Sequence, residues 1–240
     1  MKQMTYRALR NLLSFQLLLA VPCAVNAQDC KGYYYLTNNA EAQMTLYDKN
    51  GALFGVQTWK VSNVKKAGTG FTSSVATTMT DAKGALIATT LGSYKCDGGR
   101  LMADMRMSMP QEGSKPLTVG ESDMDGAFVA YPSGMTVGMS LPDATFQMKT
   151  NTSGIASNTT FEMKNRKVTG KEQVTSDAGT WTAFVITYDA VVKLKIGGLG
   201  IPMIMKTTEW FVPNFGTVKS QTLNKRGKLA GSALLTKLKK

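Results

Sequence analysis

The sequence predicts an all-β protein: a single-domain antiparallel meander curled into an open half-barrel, with only minor helical turns. Apolar and polar residues alternate with a period of two in most of the chain, as at 192–196, where Val, Leu and Ile alternate with lysines. Turns of the form Asx-x-x-Gly separate such runs at 48–51, 81–84 and 224–227. The runs are long, and long twisted strands in one meander tend to curl into a barrel.

The predicted elements follow from this alternation and from the breaks in it. The first five strands are expected near residues 33–47, 53–65, 70–80, 85–95 and 100–109. Residues 110–126 are polar and contain Pro and Gly, so they are expected to form a loop. Residues 131–143 have too many Pro and Gly for a core strand and are expected to form a crossover with short helical turns. Six further strands are expected near 144–151, 156–169, 181–196, 203–212, 217–224 and 229–238.

The first 27 residues have the pattern of a cleaved signal peptide. Three basic residues precede an apolar run at 12–21, and Val25-Asn26-Ala27 offers a cleavage site after Ala27. The apolar run is shorter than the roughly 20 residues that span a bilayer. We therefore expect export to the periplasm and one mature domain, 28–240. Two alternatives remain, a lipid anchor on Cys23, which Pro22 disfavours, and a buried N-terminal helix.

Removal of the signal peptide determines which cysteines we expect to pair. The chain has three cysteines, and removal of Cys23 with the signal peptide leaves Cys30 and Cys96. Two cysteines in an oxidising compartment predict a disulfide. By restricting the unfolded chain, this disulfide would stabilise the fold by roughly 4 kcal/mol. The alternative is two unpaired thiols.

The net charge and the composition limit the partners and the catalytic mechanisms that we expect. The formal charge of +12 suits anionic headgroups or acidic glycans, and equally a solvated surface that keeps the protein soluble. Nucleic acid is not an expected partner of an exported chain. The sequence contains no His, which removes Ser-His-Asp and Cys-His mechanisms and most catalytic zinc sites. Residues 196–200 are Gly-rich, but no helix follows them to bind phosphate, so we expect a flexible loop there.

Acidic residues give weak indications only. Glu121, Asp123 and Asp125 resemble the start of a calcium loop, but Pro132 stands where the pattern needs Glu, so an exposed acidic loop is expected. No cofactor and no metal are predicted. Carboxylate chemistry of the glycosidase type is the remaining enzyme class. Its candidates are the acids Glu162, Glu172 and Glu209 on predicted strands.

Methionines suggest a lining for the concave face. The chain has 15 of them, many in or beside predicted strands, and flexible thioethers accept varied apolar shapes. Met could equally replace Leu in the core, or bind Cu(I). Alternation selects a hypothetical ligand-binding set of seven apolar residues. These are Met105, Met107, Met109, Trp181, Val192, Leu194 and Trp210.

Two segments of the C-terminal half support a family resemblance. Residues 167–189 (KVTGKEQVTSDAGTWTAFVITYD) and 207–221 (TTEWFVPNFGTVKSQ) occur in order after the linking piece 131–143. Together they resemble the bacterial envelope family called domain of unknown function 3108, in particular its TapB-like branch. The resemblance implies an unclosed antiparallel barrel, similar to the half-barrels of periplasmic lipoprotein carriers, whose concave face holds acyl chains. It brings no catalytic residues.

The leading function predicted from the sequence is therefore non-catalytic. We expect an exported envelope protein that binds a lipid or another hydrophobic or amphipathic ligand in its concave face. The alternative is a scaffold or interaction protein with a filled barrel and an envelope protein partner. A glycan-acting carboxylate enzyme comes third.

Overall fold

A twelve-stranded antiparallel sheet forms almost the whole protein. The computed structural model describes Cys30 and residues 32–108, 128–152, 155–196 and 199–239. The first six strands are β1 (Glu41–Asp48), β2 (Leu53–Ala67), β3 (Gly70–Asp81), β4 (Leu86–Asp97), β5 (Arg100–Asp104) and β6 (Phe128–Tyr131). The others are β7 (Ala144–Thr152), β8 (Ile155–Ser176), β9 (Gly179–Ile196), β10 (Leu199–Val212), β11 (Gly216–Leu223) and β12 (Leu229–Lys239). Two short 3-10 helices, Tyr34–Leu36 and Met105–Ser108, complete these elements.

The sheet curls into a nearly closed barrel, which confirms the all-β prediction. Its strand order is β6-β5-β4-β3-β2-β1-β12-β11-β10-β9-β8-β7, so nearly every strand pairs with its neighbours in sequence. The exception is the pairing of β1 with β12, which sets Glu41 opposite Lys239 and joins the two halves of the meander. The two edge strands, β6 and β7, contact each other. Within the described residues there is no helix long and apolar enough to cross a bilayer.

Three hairpin turns lie side by side at one end of the barrel, because β4, β3, β2, β1, β12 and β11 are consecutive in the sheet. We call the turns 48–52, 81–85 and 224–228 the hairpin row. In each turn the first side chain accepts hydrogen bonds from the backbone N–H groups two and four residues later. The bonds run to Asp48 from Asn50 and Ala52, to Asp81 from Lys83 and Ala85, and to Asn224 from Arg226 and Lys228. The Asx-x-x-Gly pattern thus predicts these turns correctly.

The opposite end of the barrel is closed by the segment before β1. The predicted strand 33–47 is wrong over 33–40, where the chain forms a 3-10 helix at Tyr34–Leu36 and then a turn. Tyr33–Tyr35, which we call the tyrosine plug, is tied to three different turns and strands. The Tyr33 hydroxyl donates to the Gly99 carbonyl at 2.9 Å, the Tyr34 N–H to the Asn214 carbonyl at 3.1 Å, and the Ser73 hydroxyl to the Tyr35 carbonyl at 2.6 Å. The backbone polar groups of the plug therefore bond to the end of the barrel and do not form a strand ladder.

A disulfide between Cys30 and Cys96 fastens the plug to β4, with Cα atoms 5.7 Å apart. This is the pair that the cysteine count predicts. Both sulfurs are buried in the same apolar cluster as Tyr33 and Leu101. The covalent link therefore holds the start of the described chain against the barrel interior.

The chain also enters the barrel after β5. The predicted strand 100–109 ends at Asp104, and Met105–Ser108 forms a 3-10 helix. The buried Asp104 carboxylate accepts from the Arg106 backbone N–H at 3.0 Å and pairs with the Arg106 guanidinium, which turns the chain. Gly92 leaves the space for this turn, since a Cβ there would lie 2.4 Å from the Met107 Cγ. The predicted loop 110–126 lies outside the described residues.

Residues 132–143 form the expected crossover from β6 to β7. Strand β6 itself was not expected. The crossover lies along β8, because Gly138 donates to the Val168 carbonyl and Leu141 to the Arg166 carbonyl, each at 2.8 Å. The crossover therefore covers the seam where the sheet edges meet.

Candidate functional site: an aromatic cleft at the plugged end

An open cleft of about 270 Å³ lies between the tyrosine plug, the crossover and the β9–β10 wall. Nine residues line it: Tyr33, Tyr131, Pro132, Gly134, Met135, Lys171, Phe184, Phe211 and Pro213. Four of them are aromatic and one is charged. Its composition is that of a small-molecule site, a concave, mostly apolar surface with few polar groups.

The sheet register places the aromatic walls. Phe184 on β9 lies directly opposite Phe211 on β10, so both rings project from the same face. Tyr131, the last residue of β6, stacks on Phe211 with ring centroids 4.1 Å apart and planes inclined by 5°. The stack joins an edge strand to the wall across the barrel. The aromatic surface is therefore formed before any ligand arrives.

Lys171 supplies the only charge among the lining residues. It is exposed on β8, opposite Phe184 in the register, and its ammonium nitrogen lies 4.5 Å from the centre of the Phe184 ring. An ammonium over an aromatic face is held by the ring quadrupole. The cleft thus offers aromatic walls with one cation at its edge.

A buried carboxylate lies behind the aromatic stack. Glu209 is 4% exposed, and its Oε1 accepts from the Tyr131 hydroxyl at 2.8 Å and from the Thr217 hydroxyl. Its other oxygen, Oε2, has no hydrogen-bond partner among the described residues. Burial raises the pKa of Tyr131 well above its usual value, and the Glu209 charge raises it further. Tyr131 is therefore a neutral donor that holds both the carboxylate and the stack in place.

Arg166 fixes the crossover wall. Its Nη1 donates to the Ala130 carbonyl at 3.0 Å and to the Pro142 carbonyl at 2.7 Å, and its guanidinium carbon lies 5.0 Å from the Tyr131 ring centre. The side chain is 1% exposed. One arginine thus binds both ends of the crossover, and that crossover carries the Pro132 and Met135 walls of the cleft.

A second groove of about 260 Å³ surrounds Trp210 on the opposite face of β10. The indole N–H donates to Glu172 Oε2 at 2.6 Å, and the Lys219 ammonium lies 4.3 Å from the ring centre. The indole N–H and one ring face are therefore already engaged, which leaves little of Trp210 for a ligand.

The ligand-binding set predicted from alternation is not assembled into one surface. Met105 and Met107 are both buried, but they belong to different apolar clusters. Trp210 and Trp181 belong to the second cluster and lie on the face of the β9–β10 pair opposite to Phe184 and Phe211. Val192 and Leu194 are half-buried on the Phe184 face, nearer the hairpin end of β9. Met109 lies outside the described residues.

The candidate acids are engaged separately. Glu162 lies between Lys193 at 2.9 Å and Lys164 at 3.0 Å, which lower its pKa. Glu172 accepts from Trp210, and Glu209 from Tyr131 and Thr217. The described residues contain no cluster of His, Cys, Asp or Glu that could hold a metal ion. The suspected calcium loop, Glu121 to Gly126, lies outside them.

The sequence carries a partial signal for the cleft. Pro132 and Pro213 follow Tyr131 and Phe211 closely, and Pro ends a strand's pairing, so aromatic residues just before it lie at a barrel end. That these two ends meet across the barrel is a tertiary property that alternation does not show.

Fold and site together define a curled antiparallel barrel that is plugged at one end and bears an aromatic cleft there. The chain belongs to the DUF3108-like family, whose model matches residues 38–235. The resemblance found in the sequence is thereby confirmed.

Two solved structures share the fold. One is a protein from Bacteroides fragilis NCTC 9343, thought to be exported and with a YmcC-like fold, at 19% identity and a TM-score of 0.67 over 85% of this chain and 97% of that chain. The other, from Parabacteroides distasonis ATCC 8503, is thought to be a lipoprotein and has the same identity and TM-score over 88% of this chain and 100% of that chain. At this identity the likeness shows the fold alone. No curated protein matches the chain.

Proposed function

We propose that this protein is a non-catalytic binding protein of the bacterial envelope, exported to the periplasm, that holds an amphipathic molecule in the aromatic cleft. The observation that carries the proposal is the cleft itself, with preformed aromatic walls and a single cation. Its volume of about 270 Å³ is just below the range of about 300 to 1,000 Å³ that small-molecule sites usually occupy. The apolar part of the ligand is then one chain or ring.

Lys171 determines the polar end of the ligand. No carboxylate lines the cleft beside it, so an anionic group on the ligand meets an ammonium without competition from the protein. A carboxylate, sulfonate or phosphate accepts a charge-assisted hydrogen bond there. The expected ligand therefore has an apolar body and an anionic head.

The first experiment asks whether the cleft is occupied. Native mass spectrometry of the protein, purified without detergent from the periplasm of a Gram-negative host, should show a stoichiometric adduct that extracts into organic solvent. A bare mass would favour a scaffold protein with a filled barrel, to which the buried side chains of Met105 and Met107 would then contribute.

The second experiment places the ligand with two fluorescent probes, anionic 1-anilinonaphthalene-8-sulfonate and neutral N-phenyl-1-naphthylamine. Lys171→Gln should lower the affinity for the anionic probe about fivefold to tenfold and leave the affinity for the neutral probe unchanged. Phe184→Leu should lower the affinity for both probes. Lys95→Gln is the matched control, because Lys95 also lies over a ring, 4.2 Å from the centre of Phe128, but does not line the cleft. Equal losses of probe affinity in Lys171→Gln and Lys95→Gln would show that the probes do not bind in the cleft.

A further inference from the structure

A mostly apolar patch covers the outward face of β2, β3 and β4 near the hairpin row, and it ends at Lys60, which lies opposite Ala76 in the register. Phe54, Ile87 and Leu91 are 51%, 39% and 59% exposed, and they alternate with buried neighbours such as Gly55 and Ala88, so they point away from the barrel interior. Leu53 and Leu86, at the starts of β2 and β4, are 48% and 65% exposed. These five account for most of the large apolar side chains that are well exposed in the described part of the chain.

Strand β3 fills the space between these apolar residues without adding charge. The register sets Val56 opposite Thr80, and Thr78 opposite Thr89, so threonine and valine lie between Phe54 on one side and Ile87 on the other. Adjacent strands are about 4.8 Å apart, so β2 and β4 are about 10 Å apart. The outward residues of these three neighbouring strands form one continuous surface. We call it the outer patch, and its members are Leu53, Phe54, Val56, Thr58, Ala76, Thr78, Thr80, Leu86, Ile87, Thr89 and Leu91.

Cations flank the outer patch at the hairpin row: Lys49 and Lys83 lie in turns that its strands enter, and the turn 224–228 lies beyond β1 at the same end of the barrel. The turns present five exposed basic side chains, Lys49, Lys83, Lys225, Arg226 and Lys228. None of them is in an ion pair with any residue of the described ranges. The two acids of the same turns, Asp48 and Asp81, point back and accept backbone N–H groups. The border therefore faces solvent with a net positive charge.

We propose that the outer patch and the hairpin row dock on a lipid bilayer that carries anionic headgroups. The cations meet the phosphates, and Phe54, Ile87 and Leu91 enter the interface, as in other peripheral proteins that combine apolar burial with basic side chains. A continuous apolar surface flanked by cations suits a bilayer, which needs no matching shape. Two copies meeting through this face would bring like charges together. The docking needs no ligand in the cleft, which lies at the other end of the barrel.

Sedimentation with sucrose-loaded vesicles tests the proposal on the protein purified from the periplasm. Vesicles of phosphatidylglycerol and phosphatidylethanolamine should bind it, vesicles of phosphatidylcholine alone should not, and added salt should release it. Lys49→Gln with Lys83→Gln and Lys225→Gln should weaken binding about a hundredfold, since each cation near the surface contributes about fivefold. The double variant Phe54→Ser, Leu91→Ser should also weaken it at least tenfold.

Matched controls come from the plugged end. Lys65→Gln with Lys66→Gln and Arg100→Gln removes three exposed cations there, and Val137→Ser removes an apolar side chain that is 55% exposed. Neither should change vesicle binding by more than about twofold. Equal losses in the control and test variants, or no binding to anionic vesicles, would overturn the proposal. So would a dimer in analytical ultracentrifugation that Phe54→Ser, Leu91→Ser dissociates without affecting vesicle binding, because the patch would then cover a second copy.

Discussion

The hydroxyl of Tyr131 donates to Glu209 Oε1 at 2.8 Å, while the Tyr131 ring stacks on Phe211, two residues further along β10. A single side chain thus ties an edge strand to the far wall of the barrel twice, once by a hydrogen bond and once by a ring contact. This double attachment closes the barrel at its plugged end, and it gives the first prediction.

Tyr131→Phe should keep the ring and lose the donor. A hydrogen bond to a charged group contributes about 1.5 to 3 kcal/mol, so the free energy of unfolding in urea should fall by about that amount. Tyr47→Phe is the control, since Tyr47 is half-buried and its hydroxyl makes no hydrogen bond with any described residue. Similar stability in the two variants would mean that the Tyr131 bond contributes nothing net.

Removal of the disulfide should loosen the tyrosine plug. The double variant Cys30→Ser, Cys96→Ser opens a loop with a sequence separation of 66 residues. The resulting gain in entropy of the unfolded chain should lower the free energy of unfolding by roughly 4 kcal/mol. The urea midpoint should fall accordingly. Dithiothreitol should lower the midpoint of the wild-type protein to that of the variant and leave the variant unchanged. A wild-type midpoint that does not respond to reductant would contradict the prediction.

Alkaline pH should unfold the protein cooperatively. Burial raises the pKa of Tyr35, Tyr94, Tyr131 and Tyr188 above the usual value of 10.0. The unfolded chain therefore releases these protons at a lower pH than the folded one. Stability is complete below pH 10 and is lost as pH rises toward the folded-state pKa values, by about 1.4 kcal/mol per pH unit for each tyrosine.

Absorbance at 295 nm and far-ultraviolet circular dichroism, followed against pH, check this prediction. Phenolate formation by the buried tyrosines should coincide with the loss of β-sheet signal. Gradual ionisation of all the tyrosines near pH 10 with the sheet intact would show that the four are not shielded.

Arg166→Lys should release the crossover. A lysine cannot bind the Ala130 and Pro142 carbonyls with the planar geometry of a guanidinium. Chymotrypsin should then cleave within 132–143 several times faster than in the wild type. Lys167→Arg, at the next position on β8, serves as the control and should not change the rate. Weaker binding of both fluorescent probes should accompany faster cleavage, because the crossover forms one wall of the cleft.

Local chemistry made most of the fold predictable. Alternation identified the long strands, and the Asx and Gly residues of the hairpin row identified the turns, since both signals depend on neighbours in sequence. Strands β8, β9 and β10 are longer than predicted, because the polar end of β8 and the Gly- and Pro-containing start of β10 still pair in the ladder. Strand β6 has only four residues, too short for a clear period.

The errors share one cause. Tyr33–Leu36 and Met105–Ser108 have the composition of strands, but the structure uses them to fill the barrel ends and interior. Their conformation depends on distant partners, such as Ser73 for the plug and Gly92 for Met107. The cleft was missed for the same reason, because Tyr131 on β6 meets Phe184 and Phe211 of the β9–β10 pair only in the closed barrel.

The pairing of β1 with β12 has a consequence for biogenesis. On β12, residue 41 pairs with residue 239, so the two halves of the sheet cannot join until nearly all of the chain has been synthesised. Until then β1 presents a free edge, and unpaired edges recruit other strands. Contacts this distant in sequence also make folding slow. The interval between synthesis of β1 and its pairing with β12 is therefore the period in which this chain is most exposed to aggregation and to proteases.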